Sequence, residues 1–320
     1  MRKILTLKDY LEGFKNLDRT ILSRAITLVE SHHPDHQKLA QELLQNLLPQ
    51  TGSSKRIGIS GTPGVGKSTF IESFGKLLTS QNKTLAVLAV DPTSQVSGGS
   101  ILGDKTRMNE LAIDPLAYIR PSPSGTTLGG VAKRTRESLL LCEAFGFDYV
   151  LVETVGVGQS ETTVAQMVDL FVMLLQPGAG DDLQGIKRGI LEMVDMVVVT
   201  KDDGENQQLI HKAKHDYERA LHILRHEGWI PPVLSCSALT KMGLPEIESV
   251  IENYFRDQQS LIQSKRTKQG LDWMWQLIHE GLKEKLLAKV SAEEFKKIES
   301  DVLAQKITAP QGAFVLLNKC

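Results

Sequence analysis

The sequence predicts an α/β fold: a mostly parallel central sheet flanked by helices, with helical extensions at both ends. Three observations carry this. From Arg56 onward, short apolar and β-branched runs alternate with longer amphipathic stretches. A glycine-rich loop, Gly61 to Ser68, joins the first run to an amphipathic stretch. Before residue 50 and after residue 256, apolar residues recur at helical spacing. The chain divides accordingly into an N-terminal helical segment (1–50), an α/β domain (51–256) and a C-terminal helical segment (257–320).

In the first segment Ile21, Leu22, Ala25, Ile26 and Leu28 repeat near the helical period, as do Leu39, Leu43, Leu44 and Leu47. Pro34, within Ser31–His36, marks the boundary between the two helices. The strand-like runs are Ile57–Ser60, Leu85–Val90, Tyr149–Val152, Leu170–Leu175, Met196–Thr200 and Val233–Ser235. Their near-continuous hydrophobicity suits parallel strands covered on both faces, with helices as crossovers. Each run ends in a polar or glycine-rich loop, where open α/β sheets bind their ligands. Beyond residue 256, Leu271, Trp275, Ile278, Leu282 and Leu286 form one stripe. Ser291–Glu294 reads as a capping box, and Thr308–Gly312 restarts a short apolar tail, Ala313–Leu317.

Composition narrows the function classes. Hydrophobic residues are 41% and charged ones 23%, a globular balance that argues against disorder. The formal net charge of −1 supplies no field for nucleic acid or an anionic membrane, so neither is an expected partner. Cys142, Cys236 and Cys320 are too scattered for a disulfide framework or a Cys-x-x-Cys site. No stretch approaches the roughly 20 apolar residues that span a bilayer. A cytoplasmic protein, of the bacterial cytosol, is the expectation.

The residues Gly61, Thr62, Pro63, Gly64, Val65, Gly66, Lys67 and Ser68 satisfy G-x-x-x-x-G-K-[ST] in full, between a strand-like run and the amphipathic stretch of Phe70, Ile71, Phe74, Leu77 and Leu78, and Thr69 is expected with them among the nucleotide-binding residues. Glycines let the backbone wrap around phosphates, and the helix N-terminus adds partial positive charge. Lys67 is expected on the β- and γ-phosphates and the Ser68 hydroxyl on Mg²⁺. The base is read elsewhere. Thr200-Lys201-Asp202-Asp203 fits [NT]-K-x-D, in which the Asp203 carboxylate accepts from guanine N1–H and the exocyclic amine. Adenine would leave that carboxylate unpaired, which gives strong discrimination. Ser235, Cys236, Ser237 and Ala238 follow the next run, where a GTPase places its base loop. Glu153, ending a third run, is expected to approach Mg²⁺, and Gly156 to sense the γ-phosphate. Val157 follows where a glutamine would orient water, so hydrolysis of bound GTP to GDP is expected to be slow unaided.

Longer motifs resemble one family. Ala89–Ser94, Gly98–Met108, Arg120–Ser124, Leu128–Ala132, Glu153–Glu161 and Pro177–Lys187 are similar to the MeaB/ArgK/MMAA GTPases. The resemblance implies a P-loop NTPase of the SIMIBI class, of metallochaperone type and related to the GTPases that serve nickel enzymes, and usually a homodimer. It implies a partner too: an adenosylcobalamin-dependent acyl-CoA mutase, chiefly methylmalonyl-CoA mutase, whose cofactor loading and protection the GTPase assists. Carried over by position, Asp91, Asp104 and Glu153 surround Mg²⁺ and the γ-phosphate, with Asp104 on a switch. Gly178–Lys187 is similar to an additional switch whose Lys187 enters the GTP site when the mutase is bound. Two departures stand out. Thr200 replaces the usual asparagine and with it the amide that bridges base and phosphate loop, and in Ser124–Leu128 the glycine comes one position early.

Bland readings accompany the sharper ones. His32, His33 and His36 read as a solvated helix junction before a metal site, and Lys133, Arg134 and Arg136 as a solvated helix face. Cys236 reads as a packed thiol, and Trp273–Trp275 as part of a packed or dimer-burying stripe. Rival functions are a transport-linked ATP-dependent kinase and a nickel-insertion GTPase. Asp203 opposes the first, and the absence of clustered Cys and His opposes the second.

Overall fold

A computed structural model describes residues 5–90, 108–121, 128–154, 160–178, 188–204, 206–224 and 228–319. It separates into two compact units, Met1–Gln259 and Ser260–Cys320.

Among the described residues of the first unit, seven strands form one sheet. They are β1 (Lys55–Gly61), β2 (Leu85–Val90), β3 (Ala117–Arg120), β4 (Tyr149–Thr154), β5 (Leu170–Leu175), β6 (Met196–Val199) and β7 (Val233–Ser235). Their order is β3-β2-β4-β1-β5-β6-β7, and every neighbouring pair is parallel. Residues in β4, β5 and β6 are all buried, which is why these strands read as unbroken apolar runs. The chain moves to one side of β1 for β2 to β4 and to the other for β5 to β7, so the order reverses at β1. The carboxyl end of β1 is therefore the switch point at which such sheets bind ligands.

The strand runs anticipated six of the seven. The seventh, β3, is a four-residue edge strand with one buried and three half-buried residues, so it lacks the apolar run of a covered strand. Of the N-terminal helices α1 (Leu7–Lys15), α2 (Arg19–Val29) and α3 (Pro34–Leu47), α2 lays its side chains against this strand. Arg19 donates to Ala117 O at 2.7 Å and also to Pro115 O. Ser23 Oγ and Tyr118 Oη lie 3.1 Å apart, and Arg120 pairs with Glu30 at the end of α2. Unpaired strand edges invite association, and this covering removes one. Pro34 stands at the first turn of α3, and His33 caps it, Nδ1 accepting from Asp35 N at 3.3 Å.

The crossover helices are α4 (Lys67–Ser80), α5 (Asn109–Ala112), α6 (Leu128–Ala144), α7 (Ser160–Ala165), α8 (Arg188–Leu191) and α9 (Gln207–Leu224), and α10 (Leu244–Asp257) follows the last strand. Helix α6 corrects one expectation. Arg134 and Arg136, expected on a solvated face, are each 7% exposed. The cause is coverage: α2, α3 and α7 all pack against α6. Arg134 donates to His32 Nε2, and Arg136 reaches Gln166 O at 3.4 Å. Burial on this helix also pushes the Glu137 carboxyl up to about 7, against the opposing pull of Lys133 and Arg134.

The amino end of the sheet is held by paired charges. Arg56, at the start of β1, meets Asp169 at 2.9 Å and Glu143 at 3.9 Å, both acids fully buried or nearly so. Lys55 and the Tyr149 hydroxyl both donate to Glu252 of α10. Lys83 bridges Glu248 and Glu252 at 2.7 and 3.2 Å. Burial pushes the Glu252 carboxyl up, but hydrogen bonds from Lys55 and Tyr149 with the charge of Lys55 outweigh it and leave its pKa at about 2.

The second unit is helical: most of α11 (Gln259–Lys289), then α12 (Ala292–Leu303) and α13 (Ala309–Leu317). Half of the expected capping box is present. Ser291 Oγ accepts from Glu294 N at 3.2 Å, but the Glu294 carboxylate is taken by Lys319 at 2.5 Å. Thr308 caps α13, accepting from Gln311 N at 3.3 Å. On α11, Leu271, Trp275, Ile278 and Leu282 are exposed, Trp275 at 56%. No helix among the described residues is long and apolar enough to cross a membrane.

Candidate functional site

The phosphate loop connects β1 to α4 at the switch point. Thr62, Pro63 and Gly64 are exposed, while Val65 is fully buried and anchors the loop beneath them. Gly66 caps α4 with φ 98°, a left-handed conformation that side chains resist, so this position demands glycine. The backbone thereby turns its amides toward the mouth of the loop, and the first turn of α4 aims its N–H groups the same way. Lys67 folds back over this loop and donates to Gly61 O at 2.8 Å and Thr62 O at 3.3 Å. Its ammonium therefore stands where the concave face of the loop opens. Thr69, in the first turn of α4, is exposed.

Strand β4 lies beside β1, with Glu153 paired in register to Ile59. This brings Glu153, 8% exposed, to Ser68, whose Oγ donates to Glu153 Oε1 at 3.1 Å. A hydroxyl and a carboxylate meeting at the first turn of α4 are hard oxygen donors, the ligand chemistry Mg²⁺ takes. Thr154, next along, ties the same strand end to β1 through Ser60 Oγ at 3.0 Å.

The base segment follows β6 and β7, two strands further along the same carboxyl edge. Thr200 is buried, and its Oγ1 lies 2.8 Å from Val65 O and 3.1 Å from Leu175 O. The hydroxyl thus ties this segment to the phosphate loop. Lys201 adopts φ 63°, an uncommon conformation for a residue with a side chain, and the turn leaves Asp203 exposed. Ser237 Oγ donates to Asp203 Oδ2 at 3.3 Å, fixing one carboxylate oxygen from the neighbouring loop. Asp202 N donates to Cys236 O at 3.1 Å, and Cys236 N to Val199 O at 2.9 Å, so the two loops are laced together. Cys236 is fully buried, and burial with the nearby Asp202 charge pushes its thiol up to about 12, the environment of a packed thiol.

The structure therefore gathers Gly61–Thr69, Glu153, Thr200–Asp203 and Ser235–Ala238 along one edge of the sheet. Asp91, Asp104, Gly156, Val157 and Lys187 lie outside the described residues, as do Ser124–Thr127 and all of Gly178–Lys187 except Gly178. Two contributors were missed at the sequence level. Ser73 Oγ, on α4, donates to Ala238 O at 2.6 Å. The base loop also continues to Gly243, for Ser237 N donates to Met242 O at 3.0 Å. A Cβ on Gly243 would stand 2.2 Å from Ser235 O, and its φ is 77°. A glycine shortly after a Ser-Ala turn is a readable hint of such a tight return; a serine inside an amphipathic helix is not.

Comparisons with known proteins agree with this geometry. The family described as methylmalonyl-CoA mutase-associated GTPase MeaB matches residues 22–291. GTPase ArgK of Escherichia coli (strain K12) is 51% identical over 273 residues, 84% of this chain and 82% of its own. The mitochondrial methylmalonic aciduria type A homolog of Mus musculus is 45% identical over 343 residues, 98% of this chain and 83% of its own. The crystal structure of an LAO/AO transport system kinase superposes with a TM-score of 0.79 at 39% identity, covering 99% of this chain and 98% of that one. Phosphate loop, parallel sheet, base segment and family match converge, and the chain belongs to the MeaB family of P-loop GTPases.

Proposed function

We propose that this chain is a Mg²⁺-dependent GTPase that assists the assembly, cofactor loading and protection of an adenosylcobalamin-dependent acyl-CoA mutase of the methylmalonyl-CoA mutase type. The observation that carries the nucleotide half is Asp203, held by Ser237 on the sheet edge that also carries the phosphate loop. Support for the mutase half is the family's description and the resemblance of Pro177–Lys187 to a partner-responsive switch.

In this reading the amides of Gly61–Ser68 and the ammonium of Lys67 bind and orient the triphosphate, and Asp203 fixes the guanine. Ser68, Asp91, Asp104 and Glu153 would hold Mg²⁺, which would offset the negative charge of the triphosphate. Lys187 supplies positive charge to the transferring phosphoryl group only when the mutase is engaged, which suits a site where Val157 stands in place of a water-orienting glutamine. The exposed stripe Leu271, Trp275, Ile278 and Leu282 gives a second copy an apolar face to cover, in a cytoplasmic homodimer.

The testing experiment measures GTP turnover alone and with a purified adenosylcobalamin-dependent mutase, for the natural chain and for Lys187→Ala. Slow basal turnover, stimulation by the mutase, and loss of stimulation alone in the variant are expected. Stimulation that survives in the variant would remove Lys187 from the account, and no stimulation or co-purification would remove the mutase. A transport-linked ATP-dependent kinase is the second reading, favoured by the description of the superposed LAO/AO structure. It requires ATP to bind at least as tightly as GTP, a competition that one titration resolves.

A further inference from the structure

The base loop carries peptide groups as well as the hydroxyl that meets the Asp203 carboxylate. Ala238–Thr240 form a turn immediately after the base loop. In that loop Cys236 N is taken by Val199 O, Ser237 N by Met242 O, and Thr240 N by Ser237 Oγ at 3.1 Å. Between them, among the described residues, the amides of Ala238 and Leu239 have no protein acceptor. The Ala238 carbonyl is held from outside the loop by Ser73 Oγ at 2.6 Å, from the second turn of α4.

A trans peptide points its C=O and N–H in opposite directions. Pinning the Ala238 carbonyl on α4 therefore turns the Leu239 amide away from α4. It also fixes the residue that carries the adjacent Ala238 amide. Helix α4 is the element whose first turn belongs to the phosphate loop, so the same rigid body orients both the phosphate amides and the base-loop amides. We propose that Ser73 is a positioning residue for base specificity: its hydroxyl holds the Ala238–Leu239 peptide so that the loop amides meet the 6-oxo group of guanine. This rests on the guanine reading given above. Ser73 touches no ligand in this account; it acts through the peptide it holds.

The test uses the full chain and measures dissociation constants for GTP, ITP and 2-aminopurine riboside triphosphate. The first two carry a 6-oxo group and the third does not. Ser73→Ala is expected to weaken GTP and ITP about fivefold each, the effect of one neutral hydrogen bond. It should leave the 2-aminopurine analogue within about twofold. Ser73→Thr, which keeps the hydroxyl, should restore the natural values. Alanine favours helix, so α4 itself is not put at risk by the first variant. Equal loss for all three ligands would overturn the proposal, because it would make Ser73 a general support of α4; so would no loss at all. If the natural chain itself binds GTP no better than the 2-aminopurine analogue, the guanine reading fails first and this inference with it.

Discussion

The two ends of one sheet are built on opposite plans. At the amino end, Arg56 pairs with Asp169 and Glu143, and Lys55, Tyr149, Lys83, Glu248 and Glu252 form a second linked set. At the carboxyl end, the ammonium of Lys67 rests on backbone carbonyls and the carboxylate of Asp203 on a serine hydroxyl 3.3 Å away. The contrast separates fold from function. A buried charge opposite a full partner is committed to stability, whereas the exposed Asp203 carboxylate, met by a neutral hydroxyl, keeps most of its field for a ligand.

The largest effect that tests this contrast is Asp169→Ala, which strips Arg56 of its closest buried acid. About 3–5 kcal/mol of stability should be lost in denaturant titration, with GTP affinity of the native protein within about twofold of its natural value. A parallel loss of affinity would mean that the two ends are not independent. Lys67→Ala should do the reverse. Triphosphate binding falls by about 3 kcal/mol or more, roughly a hundredfold, on losing a charged phosphate contact. The denaturation midpoint should barely move. Thr200→Val sits between the two. It removes the hydroxyl from Val65 O without changing size, and calorimetry should show about 1–2 kcal/mol lost in GTP and GDP binding alike. A loss confined to GTP would show that Thr200 acts on the γ-phosphate instead of on the loop.

The most diagnostic effect is pH-dependent. Burial holds the Glu137 carboxyl near 7 in the folded chain against an ordinary 4.5, so the native state keeps a proton that the unfolded chain releases. The stabilisation is complete below the unfolded pKa and is lost as pH rises through about 7. Glu137→Gln, a mimic of the protonated acid, should match the natural chain at pH 4 and exceed it in stability at pH 8. Coincident stability curves across that range would place the Glu137 carboxylate in solvent.

Much of this was legible in the residues because the sheet is buried on both faces and because phosphate chemistry demands a fixed motif. Leu85–Val90 and Leu170–Leu175 were readable to the residue, since a covered parallel strand has no polar positions to blur its ends. Strand β3 was not, because its outer edge is closed by side chains from α2 that sequence spacing cannot place. Arg134 and Arg136 were misread for the same reason: only the fold reveals that helices close over them. In the site, Gly61–Ser68 and Thr200–Asp203 declare themselves through short-range chemistry. The hydroxyls of Ser73 and Thr200 do their work across 165 and 135 residues of sequence, through contacts to carbonyls that leave no pattern in the chain.

The central claim is that the carboxyl edge reads guanine through Asp203. Asp203→Asn, titrated with GTP and XTP, tests it most directly. An asparagine amide can donate to the 2-oxo group of xanthine but no longer accepts both hydrogen bonds from guanine. The account predicts that GTP affinity falls about a hundredfold and that XTP becomes the tighter ligand. An unchanged preference for GTP would show that another group reads the base.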